Sequence, residues 1–265
     1  MVVPLVSVII PTHNRNHLLK QAILSVYDQT FKDYEIIVVD DTWSTLPLYK
    51  NHPAVRFIHI PQTPYPGVSR NVGIKAARGK YIAFLDDDDY WYPDKLMKQI
   101  VFLEQHPEIG LVCSNGNVEK DLYIKRKIIN MPDMLPQEIT GDFVVTSSCV
   151  IRKSILDKTG LYSPMPLCED YDFSIRFAAI SGIFYDPSPL FEYTVSGDSI
   201  QKRNKDSFTE YHRNILQVMK NLQKFLKENN RKDLYISLLI SYRIITEHFI
   251  VLWNIIKDKI RGANE

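Results

Sequence analysis

The stretch YIAFLDDDDYW, residues 81–91, sets four consecutive carboxylates directly behind a short apolar run. Tyr81 to Leu85 reads as a strand buried on both faces, because apolar residues fill every position instead of alternate ones. Four adjacent like charges repel one another, so a folded chain keeps them together only where they are solvated or where positive charge sits among them. A hard divalent cation, Mg²⁺ or Mn²⁺, held by one or two carboxylates and completed by phosphate oxygens and water, meets that requirement.

Outward from this strand, strand-like and helix-like segments alternate. Leu5–Ile10, Glu35–Val39, Val55–Ile60 and Ile109–Cys113 are further apolar strands. His17–Gln29, Val68–Ala77 and Pro93–His106 have helical spacing, the second ending at Gly79 and the third opened by proline and aspartate. Apolar strands joined by helices predict an α/β fold with a mostly parallel central sheet covered on both faces. Ligands of such sheets bind beyond the carboxyl ends of the strands. Asp40 and Asp41 end the second strand, Asp86 to Asp89 the fourth, and PTHNR, residues 11–15, follows the first, so three polar clusters fall on one edge.

The pattern weakens over residues 117–136. Phe143–Arg152 then reads as a strand, Asp170–Ile180 as a helix, and Ile183–Tyr185 and Leu190–Val195 as short strands. Beyond Ser199 the character is helical, over Phe208–Glu228 and Leu234–Ile260, which predicts a main domain of residues 1–204 and a C-terminal helical extension of residues 205–265.

Composition narrows the function classes. A net charge of +1 gives no reason to expect nucleic acid. Cys113, Cys149 and Cys168 suit neither a disulfide framework nor a zinc site. The start MVVPLVSVIIP reads as a strand, not a secretion signal, and no uncharged apolar run reaches the roughly 18 residues of a membrane span. The expectation is a cytoplasmic protein. The aspartate run lacks the glycine and glutamate of an EF-hand, and none of the ten glycines supplies a dinucleotide fingerprint or a P-loop.

Four motifs in order over about 90 residues resemble the family-two glycosyltransferases of GT-A (Rossmann-like) fold: SVIIPTHNR at residues 7–15, the VDD ending at Asp41, Gly67-x-x-Arg70-Asn71-x-Gly73, and the aspartates. The resemblance continues less tightly to about residue 195. It implies an inverting transferase that moves a sugar from a nucleotide-diphosphate donor, suited to a UDP-sugar, to a hydroxyl of a glycan or lipid-linked glycan. Pro11, Thr12, His13 and Asn14 would wrap the base, with Arg15 reaching a phosphate. Asp40 or Asp41 would accept a hydrogen bond from the base, and Arg70 would meet a phosphate or sugar hydroxyl. Asp86 and Asp87 would lie near ribose and sugar, with Asp88, helped by Asp86, on the Mn²⁺ or Mg²⁺ ion.

In LCEDYDF, residues 167–173, the resemblance makes Asp170 the base that deprotonates the acceptor hydroxyl and Glu169 its neighbour. Spacing alone does not separate that role from a helix cap. Ser147, Ser148 and Arg152 would stand on the acceptor side. Many relatives carry a histidine or arginine after the last strand, and here that loop reads TVSGDSIQKR, in which Ser199, Lys202 or Arg203 would have to substitute. The alternatives are a sugar nucleotidyltransferase, which would bring a glycine-rich basic signature that PTHNR lacks, or a nucleotide-sugar-binding module without turnover. The apolar stretch Leu234–Ile256 must be covered. Packing on the main domain is the first expectation, followed by a homodimer and by docking at the inner face of a membrane.

Overall fold

Residues apolar at every position force strands into the middle of a two-sided core, and alternate side chains then serve opposite faces. In β1 (Val6–Thr12), Val6, Val8 and Ile10 join one hydrophobic cluster and Ile9 joins the other. In β2 (Tyr34–Asp40), Ile36 and Val38 take the first side, Ile37 and Val39 the second. The computed structural model describes residues 3–42, 55–63, 65–118, 121–122, 128–141, 143–194 and 207–262.

Between β1 and β2 lies α1 (Asn16–Tyr27). The chain continues through β3 (Val55–His59), α2 (Pro66–Ala76), β4 (Tyr81–Phe84), β5 (Tyr90–Trp91), α3 (Lys95–Gln105), β6 (Ile109–Val118) and β7 (Asp121–Leu122). Then come α4 (Leu135–Thr140), β8 (Val150–Arg152), α5 (Leu156–Thr159), α6 (Glu169–Ile180) and β9 (Gly182–Glu192). Two long helices, α7 (Ser207–Glu228) and α8 (Leu234–Gly262), end the described chain. Among the described residues the strands form one sheet in the order β3-β2-β1-β4-β8-β6-β9-β5, with β7 beside β6. β3, β2, β1 and β4 are parallel, as are β6 and β9, whereas β8 runs antiparallel to both β4 and β6.

Several boundaries differ from the sequence reading. Only residues 150–152 of the expected strand at 143–152 pair as a strand, because Thr146–Ser148 forms a 3₁₀ turn in which the buried Ser148 bonds back to the Val145 carbonyl. The two short strands expected after residue 182 are one, β9, bent by register shifts against β6. The short helix α4 begins at the end of the stretch 117–136, where the pattern is weak, and fills residues to which the sequence assigns no element.

The C-terminal helices share the core of the sheet. Ile215, Val218, Met219, Leu222, Ile236 and Ile240 belong to the same cluster as Phe173 and Phe177 of α6. A polar tie adds direction, since Asn221 donates to Asp172 at 2.8 Å. By length and composition Leu234–Ile255 is long and apolar enough to cross a membrane, although only 17% of that apolar window is buried. The sequence reading of no span rested on Arg243 and Glu247, which interrupt the run.

On the opposite face of the sheet Lys95 is fully buried without a carboxylate. Its Nζ lies 4.2 Å from the centre of the Trp91 ring and donates to Gln99 Oε1 at 2.7 Å. Burial lowers its ammonium from the usual lysine range to about 7. The unfolded chain keeps the ordinary value, so between pH 7 and about 10 the unfolded state binds more protons and stability rises with pH. Lys95→Met, which keeps the aliphatic bulk, is expected to raise stability near pH 6.5 by on the order of 3 kcal/mol. Thermal melts at pH 6.5 and 10 check this, the gain shrinking at the higher pH.

Candidate active site

The carboxyl ends of β1, β2 and β4 meet at one edge. There the aspartate run alternates in exposure, with Asp87 and Asp89 buried and Asp86 and Asp88 partly exposed. The inward pair anchors the loop. Asp87 accepts from Thr12 Oγ1 at 2.7 Å, and Asp89 accepts from the Thr194 amide at 3.0 Å and from the Ser147 hydroxyl. Burial pushes Asp87 up to about 6 despite the Thr12 bond and the charge of Arg15. Asp89 is raised as well, by burial first and then by the charge of Asp86.

The outward pair is met by arginines. Arg15 places Nη1 2.7 Å from Asp88 and 3.3 Å from Asp87. Arg70, 4% exposed, donates through Nη2 to Asp86 and through Nη1 to Glu169, both at 2.7 Å. Burial works against its charge, but Asp86 and Glu169 outweigh that and hold the guanidinium well above its usual range. Its carbon centre lies 5.4 Å from the centre of the Tyr162 ring. Both terminal nitrogens are thus taken by protein carboxylates, so in this structure Arg70 clamps two acidic segments together and does not reach outward as the resemblance implied.

The rest of that motif explains how α2 gets so close. A Cβ on Gly73 would lie 2.4 Å from Ile9 Cγ2, and one on Gly67 would meet Tyr162 Cβ at 3.0 Å. Asn71 binds both the Tyr162 carbonyl and its amide, each at 2.9 Å. Tyr162 itself, in an irregular stretch without periodicity, carries no sequence signal.

Asp41, the residue after β2, has Oδ1 2.7 Å from His13 Nδ1 and Oδ2 accepting from the Thr63 amide at 3.3 Å. Asp40 bonds Thr42 and lies 3.2 Å from His59. Pro11 and Thr12 close β1, and Asn14 takes a left-handed φ of 55°, which asparagine tolerates, to turn the chain into α1. At the other side, Cys168 (φ 63°) turns the chain into α6, so that Glu169, Asp170 and Asp172 fill its first turn, where the helix dipole favours negative charge. Asp170 Oδ1 accepts from the Tyr171 amide at 2.9 Å, and the residue borders a cavity of about 10 Å³ with Thr146, Cys149, Tyr162 and Phe173.

The expected acceptor-side residues lie elsewhere. Ser147 and Ser148 are fully buried: Ser147 Oγ accepts from the Asp86 amide at 3.0 Å, and its carbonyl accepts from Trp91 Nε1 at 2.7 Å. They support the aspartate loop from beneath. Arg152 pairs with Tyr81, at the start of β4 and so at the far end of the sheet, and donates to the carbonyls of Leu103, His106 and Ile109. A short strand run antiparallel puts its last residue at the wrong edge. Ser199, Lys202 and Arg203 fall outside the described residues.

The description "Glycosyl transferase family 2" matches residues 7–160. The chain belongs to that family. A Rickettsia felis "Uncharacterized glycosyltransferase" is 42% identical over 126 residues, 45% of this chain and 21% of the relative, so the chain matches about a fifth of that protein's length. The Escherichia coli protein "UDP-Glc:alpha-D-GlcNAc-diphosphoundecaprenol beta-1,3-glucosyltransferase WfaP" is 32% identical over 185 residues, 67% of this chain and 70% of WfaP. Among solved structures, S. aureus TarS in complex with UDP-GlcNAc superposes with a TM-score of 0.67 at 18% identity, covering 92% of this chain and 72% of that one. The mannosyltransferase PcManGT of Pyrobaculum calidifontis, with GDP-Man and Mn²⁺, gives 0.58 at 16% identity, covering 94% and 74%. These likenesses make the family-two chain a GT-A fold.

The Arg70 clamp makes a stability prediction. Arg70→Met leaves Asp86 and Glu169 facing each other without a cation and is expected to cost about 3 kcal/mol in urea unfolding. Arg70→Lys, a point charge unable to fork between two carboxylates, should fall between the variant and the wild type.

Proposed function

We propose that the protein is an inverting glycosyltransferase that moves a sugar from a UDP-linked donor to a hydroxyl of a glycan or lipid-linked glycan. The observation that carries this reading is the outward pair Asp86 and Asp88, set at the strand ends between Arg15 and Arg70, with Glu169 of the α6 start joined to the same cluster. WfaP, by its name, uses a UDP-sugar and a diphosphoundecaprenol-linked acceptor, and TarS was solved with UDP-GlcNAc. Both support the donor class.

The donor set fits a hard divalent ion. Asp88 and Asp86 keep side chains 17% and 32% exposed, whereas Asp87 and Asp89 are committed inward. Among the described residues no three histidine, cysteine or acidic side chains form a group that could hold a metal by itself, so an ion on Asp88 and Asp86 would need its remaining ligands from phosphates and water. Such an ion, Mn²⁺ or Mg²⁺, supplies positive charge against a departing diphosphate.

Each side chain then has work that follows from its placement. Asp41 accepts from the N3–H of uracil, beside Thr12 and His13 at the end of β1. Arg15, which bonds Asp88 and Asp87 here, stands beside the carboxylates that would hold the ion and would meet a donor phosphate there. Glu169 is committed to Arg70, and Asp170, one residue on in the first turn of α6, takes the proton from the acceptor hydroxyl as the new bond forms.

Two measurements test this. In a thermal-shift panel with Mn²⁺, UDP-sugars are expected to stabilise the protein and GDP- or dTDP-sugars not; a flat panel rejects the donor. Asp88→Asn and Asp170→Asn are each expected to lower UDP release with acceptor by at least about 100-fold, with melting temperatures near wild type. Full turnover in either variant removes that residue from its role.

A further inference from the structure

Of the two charges inside the apolar span of α8, Glu247 is turned inward and Arg243, its side chain 26% exposed, folds onto it. Glu247 is 1% exposed; it accepts from Arg243 at 2.9 Å and lies 2.5 Å from His212 Nδ1 of α7. Ile236 and Ile240 extend the same inner face. What is left outside carries no carboxylate, ammonium or guanidinium: Tyr235, Leu238, Tyr242, Ile245, Phe249, Leu252 and Trp253 are each between 54% and 69% exposed. The first six recur at alternating intervals of three and four residues, so they form one continuous stripe, and 18 residues of helix make it roughly 27 Å long. A soluble surface helix shows the opposite arrangement, with charge outward and apolar side chains inward.

We propose that this outer face of α8 is a docking surface for an anionic lipid bilayer, on which the helix lies in the plane of the headgroups. Three observations choose that occupant over a second copy of the chain. The stripe is rich in tyrosine, phenylalanine and tryptophan, side chains with an apolar body that suits the headgroup boundary. The flanking positions that set partner and orientation in a helix pair hold Leu234, Ser241 and His248 on one side and Leu239, Thr246 and Trp253 on the other, so no complementary charge pair specifies a partner helix. Basic residues bracket the band in sequence, with Lys232 before it and Lys257, Lys259 and Arg261 after it against the acids Asp233 and Asp258, the balance that anionic headgroups attract.

A spanning orientation conflicts with the packing. Ile236, Ile240 and Glu247 are covered by the protein's own helices, so the helix offers only one side to lipid. The placement also suits the chemistry of the site. α4 packs between α8 and α6, through Arg243 to the Thr140 carbonyl on one side and Tyr171 to the Glu138 carbonyl on the other. The bilayer face and the α6 start with Asp170 therefore belong to one rigid assembly.

Co-sedimentation of the full-length protein with vesicles of phosphatidylglycerol and phosphatidylethanolamine tests the proposal, with phosphatidylcholine vesicles as the neutral control. Binding to the anionic vesicles is expected, at least several-fold tighter than to the neutral ones. Leu238→Glu/Phe249→Glu, which alters only exposed positions, is expected to weaken it by at least about tenfold, with an unchanged melting temperature and unchanged UDP release on a soluble acceptor. No binding to anionic vesicles, equal binding to both kinds, or binding indifferent to the double substitution overturns the proposal. So does a dimer in light scattering that the same substitution dissolves. None of these readouts depends on which donor or acceptor the enzyme uses.

Discussion

A guanidinium can be buried only where its charge is matched, and Arg70 meets that condition through its two terminal nitrogens, with partners far apart in the chain. Asp86 lies 16 residues from it and Glu169 lies 99 away. The planar fork fixes the angle between the two carboxylates as well as their distance, which a single-point ammonium would not. Tyr162 supports the guanidinium with its ring, and its backbone is pinned by Asn71. The loop after β4 and the first turn of α6 are therefore held in one relation by one side chain, and the position of Asp170 follows from it.

The same constraint answers why four aspartates stand together. A residue pattern that alternates inward and outward divides them into two pairs. Asp87 and Asp89 are desolvated, which raises their pKa values, and the bonds from Thr12, Thr194 and Ser147 work against that rise and hold the two carboxyls in place. Asp86 and Asp88 keep contact with solvent and are met by arginines at 2.7 Å. The repulsion of a four-carboxylate run is thus relieved from both sides.

Much of this was legible in the sequence because its causes are local. The buried parallel strands announce themselves as unbroken apolar runs, and their carboxyl ends carry the polar clusters the sheet geometry requires. Long-range pairing was not legible. Nothing near Arg70 names Glu169 as its partner, and nothing near Tyr162 marks it as the ring beneath a guanidinium. Ser147, Ser148 and Arg152 were misplaced for a definite reason: Thr146–Ser148 closes a 3₁₀ turn instead of extending a strand, and β8 runs antiparallel, so the serines lie beneath the aspartate loop and the arginine at the opposite edge. Small polar residues before a short apolar strand do not reveal its direction.

The C-terminal helices show how burial of charge reverses an expected surface. α7 keeps Arg213, Gln217, Lys220 and Lys224 outward and places Ile215, Val218, Met219 and Leu222 in the core, the ordinary arrangement for a helix facing water. α8 packs beside it yet turns Glu247 toward His212 and folds Arg243 onto that carboxylate. Desolvating an ion pair gains little stability relative to apolar packing of similar volume. The arrangement therefore finds no reason in folding alone. What it accomplishes is to keep charge off the outer face of the helix between Tyr235 and Trp253 while the helix remains fastened to the core of the sheet. An uncharged aromatic stripe is unfavourable in water and favourable at a lipid boundary, so the inward ion pair and the outward stripe are two halves of one design.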